Sequence, residues 1–413
     1  MSMLVAMAWR NLWRHSLRTG LTALAMGSVV AIVIWLLSLQ AGIRDTLERV
    51  GVTESIGHAV IQHPDFSRTQ SLYDMIDDAE ALLASLDDAP GTVAVAPRVH
   101  GNALLGGEAK TVGVVLRGID PVREYALTGL DARVFQGEAL AADPSGGILL
   151  GVDLASSLDV SVGEEVVAVT EDAQGSLGNA LYTVSGILRT GDPMQDRSGA
   201  VLHIADLQSL MALPDAVHDI TLTTTAIAPE VVEPWLDGLA SIVGKQELRV
   251  RPWWDVSPAL AEILELQSVV ILVLSSIFLG IAALVVVNSL LMSVYERTRE
   301  FGVLRALGLR PFRLVGMVFI ESAFLGGLAS TVGLLLGGLV VAWMTTYGLD
   351  LSVGDGQGFQ SGTISFDPII YGRATPAVLL VPIAITFVCA LFAAVLPALR
   401  AASVQPIQAL REG

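Results

Sequence analysis

One run mixes charge and apolar bulk at helical spacing: Val294-Tyr-Glu-Arg-Thr-Arg-Glu-Phe-Gly-Val-Leu-Arg-Ala-Leu-Gly-Leu-Arg-Pro. Glu296, Arg297, Arg299, Glu300 and Arg305 supply charge, while Phe301, Leu304 and Leu307 can share one apolar side. Gly308 is suited to end such a helix and Pro311 to start the next. The chemistry is that of binding: the helix either docks in a partner's groove or hugs an interface. Glu321 is the second candidate, because an ionisable group in an apolar stretch is costly. It either pairs or snorkels at an interface, or serves transport of a solute or proton. Beyond it, Gly326, Gly327, Ala329, Gly333 and Gly337 include small residues four apart, a pattern for close helix packing.

Catalytic patterns are absent. There is no G-x-x-x-x-G-K-[ST] loop to cradle phosphate: only Lys245 follows a glycine, Gln246 comes next, and Leu239 stands where the first loop glycine belongs. No G-x-S-x-G elbow occurs. The six histidines (15, 58, 63, 100, 203 and 218) form no zinc pattern and read as surface or core residues. Cys389 has no partner and reads as apolar packing. No catalytic, cofactor or metal site is expected.

Four stretches free of Asp, Glu, Lys and Arg dictate what positions these residues. They run from Thr19 to Ile43, Leu266 to Tyr295, Ser322 to Leu349 and Ala374 to Leu399. Each exceeds the roughly 20 apolar residues that cross a bilayer core as a helix. Of 413 residues 53% are hydrophobic and the mean hydropathy is +0.62, which excludes an ordinary cytosolic enzyme.

The net charge of −17 argues against nucleic acid as a partner. It is also divided. Met1–Gly20, Val294–Arg313 and Pro397–Gly413 together hold ten basic and three acidic residues, whereas Gly42–Glu262 holds 13 basic and 33 acidic. Arg-rich short loops stay cytoplasmic, so both termini and the loop 295–312 are expected inside and Gly42–Glu262 outside. The first span reads as an uncleaved signal anchor: it is longer than a signal-peptide core, and no A-x-A site follows. Before it, Leu4, Val5, Ala8, Trp9 and Leu12 recur at helical spacing, suggesting an interfacial helix with Trp9 and Trp13 at headgroup depth. Short β-type runs (58–62, 112–116, 166–170, 182–188, 200–204) and helical pieces (72–85, 151–158, 205–211, 229–243) predict a mixed α/β outer domain of one or two lobes.

Glu296–Gly308 resembles the coupling-helix motif of ABC-transporter permeases of the FtsX/macrolide-exporter type. The ending Leu396-Pro-Ala-Leu-Arg-Ala-Ala-Ser-Val-Gln-Pro-Ile-Gln-Ala-Leu-Arg is similar to that family's carboxyl-terminal signature, and Trp9-Arg-Asn-Leu-Trp-Arg to its amino-terminal helix. Gly118-Ile-Asp-Pro, Gly147-Ile-Leu-Leu-Gly-Val-Asp-Leu-Ala and Tyr182-Thr-Val-Ser-Gly-Ile-Leu resemble outer stretches of lipoprotein-releasing permeases. The resemblance implies an α-helical integral membrane protein of the bacterial inner membrane, with four transmembrane helices and a large α/β periplasmic domain inserted between the first and second. The expected order is interfacial helix 1–18, first span 19–43, periplasmic domain 44–262, second span 263–294, coupling helix 295–312, third span 313–346, periplasmic loop 347–374, fourth span 375–397 and cytoplasmic tail 398–413. It implies two copies of a separate ABC ATPase docking on Glu296, Arg297, Arg299, Glu300, Phe301, Leu304 and Arg305. A second permease protomer and membrane lipid are further partners. Lipoprotein cargo with a periplasmic chaperone is one implied arrangement; an adaptor in a tripartite-type exporter and an FtsX-like mechanotransmission regulator are the others. The turn that would correspond to a chaperone-gripping hairpin, Glu171–Ala180, is short and glycine-rich.

Overall fold

The computed structural model describes residues 2–69, 71–76, 79–107, 110–244, 248–350, 360–361, 364–365 and 369–403. Lys245 and the end of the carboxyl-terminal signature, 404–411, lie outside them. The described residues form two compact units, one from 2–44, 265–350 and 369–403, the other from those within 45–264 and 351–368.

The first unit is helical. A short helix, Ser2–Arg14, precedes the first apolar helix, Ser16–Thr46; the second is Pro258–Glu296, the third Pro311–Tyr347 and the fourth Pro376–Ala393, continued by Val395–Ser403. These four are long and apolar enough to cross a membrane. Proline opens the third and fourth, where its missing N–H costs nothing. Close packing of the third helix follows from its small residues. A Cβ on Gly333 would fall 2.5 Å from Val30 Cβ, and one on Gly337 3.0 Å from Ile34 Cβ, both on the first helix. Ala329 is fully buried, and Gly326 faces Ala390 and Phe387 of the fourth helix. Gly327 has nothing within 4 Å and takes no part in this face. On the second helix the buried residues Ala282, Val286, Leu290 and Val294 recur every fourth position, so one narrow stripe packs. Leu272, Ile277 and Leu284 are among those that stay exposed.

The second unit is mixed α/β. Past Thr46 the backbone continues as a π-helix, Leu47–Ile56, and then enters the sheet. Its strands are β1 (Ala59–Gln62), β2 (Thr92–Gly106), β3 (Thr111–Ile119), β4 (Val134–Gly137), β5 (Gly147–Gly151), β6 (Glu165–Glu171), β7 (Leu177–Leu188), β8 (Gly199–His203), β9 (Asp219–Thr224) and β10 (Arg249–Pro252). Strands β10, β1, β9 and the first half of β2 pair in that order, all antiparallel. With the helices Ala79–Asp87 and Pro229–Val243 they make a split βαβ lobe.

The second half of β2 starts a second lobe. It pairs with β3, β3 with β8, β8 with β5, β5 with β7, β7 with β6, and β6 with β2 again. The ring closes, so these six strands form a small barrel without free edges. Alternate residues (Leu105, Leu116, Ile148, Leu150, Val166, Ala168, Val184, Ala200 and Leu202) are buried in one cluster, as the two-residue side-chain period requires. The expected helix over 72–85 is shorter, beginning at Ala79.

Candidate functional site

The charged loop is built by its backbone stops. Arg297 has φ −109° and ψ 14°, which ends the second apolar helix and starts the helix Thr298–Ala306. Thr298 Oγ1 donates to the carbonyls of Val294 (3.1 Å) and Tyr295 (2.9 Å). At the other end Gly308 takes φ +89°, its N–H reaching Arg305 O and the Leu309 N–H reaching Leu304 O, both at 3.0 Å. That is a Schellman closure, and it needs a residue without Cβ at the left-handed position. Leu304 and Leu309 pack on the same cluster.

Side chains turn much of this loop inward. Phe301 is 1% exposed, in a core of Ala8, Val294, Leu314, Met317, Val318, Ala398 and Ala401. Arg297 lies over its ring at 5.1 Å and donates to Glu321 Oε1 at 2.7 Å and, through Nε, to Glu300 Oε2 at 3.1 Å. Asn11 Nδ2 also donates to Glu321 Oε1, at 3.0 Å. Arg14 bonds Glu300 and Arg18 bonds Glu296, each at 2.5 Å. Burial raises the Glu300 pKa, but Arg14 and Arg297 outweigh it and hold the carboxyl below its ordinary value. Arg305 Nη1 donates to Ala402 O at 3.0 Å.

Phe301 and Arg297 thus serve the chain's own core. Glu296 and Glu300 bind the amino-terminal arginines, and Leu304 is partly buried. Arg299 is exposed. The outward apolar groups are Val303, Leu307 (80% exposed) and Phe312 (88% exposed). Of these only Leu307 was weighed from the sequence, since helical spacing alone does not say which apolar side meets solvent. Trp9 and Trp13 are half exposed, in edge contact with each other, and Trp9 also packs edge-on against Phe324.

Two histidines of the α/β unit, His58 and His218, are buried. His58 Nδ1 accepts from the Thr224 N–H at 3.0 Å, and its Nε2 faces Thr53 Oγ1 at 3.1 Å; burial lowers its pKa. His218 Nδ1 accepts from the His100 N–H at 3.1 Å, and its Nε2 meets Leu72 O at 3.3 Å. Burial, then the neighbouring His100, push His218 down to about 4. Among the described residues no group of three or more His, Cys, Asp or Glu is placed to hold a metal ion.

Family comparisons agree with both units. The FtsX-like permease C-terminal family matches residues 272–406, and the MacB-like periplasmic core domain matches 19–234. The lipoprotein-releasing system transmembrane protein LolC of Neisseria meningitidis is 28% identical over 404 residues, covering 95% of this chain and 92% of its own. LolE of Haemophilus influenzae is 23% identical, covering 85% of each. The macrolide export ATP-binding/permease protein MacB of Hyphomonas neptunium is 24% identical, covering 84% of this chain and 54% of its own. The chain belongs to the FtsX-like, MacB-type family of ABC-transporter permeases, and it is a multi-pass membrane protein.

Proposed function

We propose that this permease couples ATP hydrolysis by a separate ATPase to movement of a periplasmic α/β domain, and so extracts lipoproteins from the inner membrane. In this reading the chain hydrolyses no ATP itself. Two ATPase copies dock on the loops 295–312 of a permease pair, built from two copies of this chain or from two related chains. Both termini lie in the cytoplasm, in keeping with the Arg-rich short segments there. Lipid and cargo would enter laterally from the outer leaflet.

One observation carries the mechanical part. The loop helix is wedged among Ser2–Arg14, Val395–Ser403 and the third apolar helix, and is joined to the last by the buried Arg297–Glu321 pair. A push on its exposed end is thereby transmitted to a packed helix rather than absorbed by a slack loop. Such coupling requires that both sites bias one two-state element, and the packed helices are the candidate. The lipoprotein cargo is favoured by the lipoprotein-releasing relatives that match along most of the chain.

The test is depletion of the protein followed by fractionation. Lipoproteins are expected to accumulate in the inner membrane, and unchanged sorting to the outer membrane overturns the cargo assignment. The macrolide-export relative supports a second reading, export of peptides or small amphiphiles with an adaptor protein. Purification with the native ATPase separates the two, by whether lipoprotein or a small amphiphile accompanies the complex.

A further inference from the structure

One face of the sheet in the α/β unit is polar. Its opposite face carries Ile61, Val99, Leu116 and Ile220 into the core. Strand register brings the polar side chains together: Gln62 of β1 stands opposite Asp219 of β9, Asp219 opposite Arg98 of β2, and His100 of β2 opposite Arg117 of β3. They line a cleft of about 730 Å³ whose walls also include Val60 and Val115. That volume lies in the range of small-molecule sites.

Most of the charges here are spoken for. Arg98 is fully engaged, through Nε and Nη2 with both oxygens of Glu124 and through Nη1 with Ser55 O. Asp219 gives one oxygen to His100 Nε2 at 2.5 Å and accepts from Thr221 Oγ1 at 3.2 Å on the other. Two donors on the sheet face are removed from solvent to different degrees and lack a hydrogen-bond partner among the described residues. Arg117 is partly buried and hydrogen-bonds no acceptor among the described residues. Gln62 is 95% buried, and its Nε2 has no hydrogen-bond partner. A buried donor left unpaired costs the desolvation of that group. Burial and the nearby Arg98 also lower the Arg117 pKa, by more than Glu124, Asp219 and Asp192 raise it.

We propose that the cleft is a binding site for a phosphate-type oxyanion, held by the Arg117 guanidinium and the Gln62 amide, with the apolar wall of Val60 and Val115 covering the remainder of the ligand. A guanidinium fork matches two phosphate oxygens, and such charge-assisted bonds are strong. A phospholipid headgroup and free phosphate share this chemistry. Nothing in the cargo assignment is needed for it.

The experiment is calorimetric titration of the full chain in a phosphate-free maltoside detergent. The probes are dihexanoyl-phosphatidylethanolamine, dihexanoylglycerol and inorganic phosphate. The phospholipid is expected to bind saturably and the dihexanoylglycerol not. Arg117→Gln should weaken binding about ten-fold or more, the scale of one charge-assisted hydrogen bond. Its melting temperature should fall little, because the native guanidinium makes no hydrogen bond or ion pair among the described residues. Binding of inorganic phosphate as well means the oxyanion suffices; binding of the phospholipid alone means the apolar wall is required, and both support the site. Equal binding of dihexanoylglycerol, unchanged affinity in Arg117→Gln, or no saturable binding of phospholipid or phosphate overturns it. If Arg117→Gln melts early, Gln62→Leu decides: weakened phospholipid binding supports the site, and wild-type affinity overturns it.

Discussion

Arg297 and Glu321 form an ion pair at 2.7 Å with both side chains more than nine-tenths buried, one at the start of the loop helix and one on the third apolar helix. A pair removed from solvent in this way is stabilising only while both members are present. Arg297→Ala leaves Glu321 only the Asn11 amide, and Glu321→Gln leaves Arg297 only Glu300 as its anionic partner. Each should cost up to about 3–5 kcal/mol, the figure for a wholly uncompensated buried charge, read as a lowered unfolding temperature in detergent. The double variant Arg297→Met with Glu321→Leu should recover most of that loss. A double variant no more stable than either single one would mean that the pair is held by something other than mutual neutralisation.

The glycines of the third helix are not equivalent. Gly333→Ala places a methyl 2.5 Å from Val30 Cβ, so the first and third helices must part, at about 1–3 kcal/mol. Gly327→Ala meets open space and should be neutral or slightly stabilising, since alanine is the better helix former. Thermal unfolding of the two variants side by side checks the contrast.

The features legible in the sequence were the local ones. Charge-free runs located the four apolar helices because length and absence of charge are properties of the segment itself; Leu266–Tyr295 lies within Pro258–Glu296. Gly308 and Pro311 likewise marked real backbone stops. Strand β2 escaped notice because Pro97, Gly101 and Asn102 interrupt its apolar pattern, although it is the strand that joins the two lobes. Barrel closure depends on pairing between residues as distant as Ala103 and Thr170, which no window of sequence contains. The burial of Phe301 is hidden from the sequence for a related reason. Its apolar side exists, but the helices 2–14 and 395–403 cover it, and only tertiary contacts could tell.

The neutral histidines give the α/β unit a pH dependence. His218 has an ordinary value of 6.5 and is held at about 4 in the folded chain, so between these values the unfolded state binds the proton and the folded state does not. Its contribution to stability is present above pH 6.5, declines as pH falls, and is gone below about 4. The full span amounts to about 3 kcal/mol, as an upper figure. His58, lowered by burial, acts in the same direction. His218→Gln should flatten the fall in unfolding temperature between pH 6.5 and 4; an unaltered slope would remove His218 from the account.

The proposed docking of an ATPase can be separated from folding because the loop has an inner and an outer side. Leu307 and Phe312 are the most exposed apolar side chains there and make no contribution to the buried core around Phe301. Leu307→Asp and Phe312→Asp should therefore leave the unfolding temperature within about 0.5 kcal/mol of wild type, as surface changes do. Both should sharply reduce ATPase co-purification, since a charge in the centre of a desolvated contact is costly. Phe301→Asp should act differently, destabilising the helical unit itself by burying a carboxylate without a partner. Pull-down yield plotted against melting temperature for the three variants is the measurement. Loss of the ATPase in step with melting for all three would mean that the loop matters only as packing, whereas loss at wild-type stability in the two outer variants assigns the contact to the exposed end of the helix.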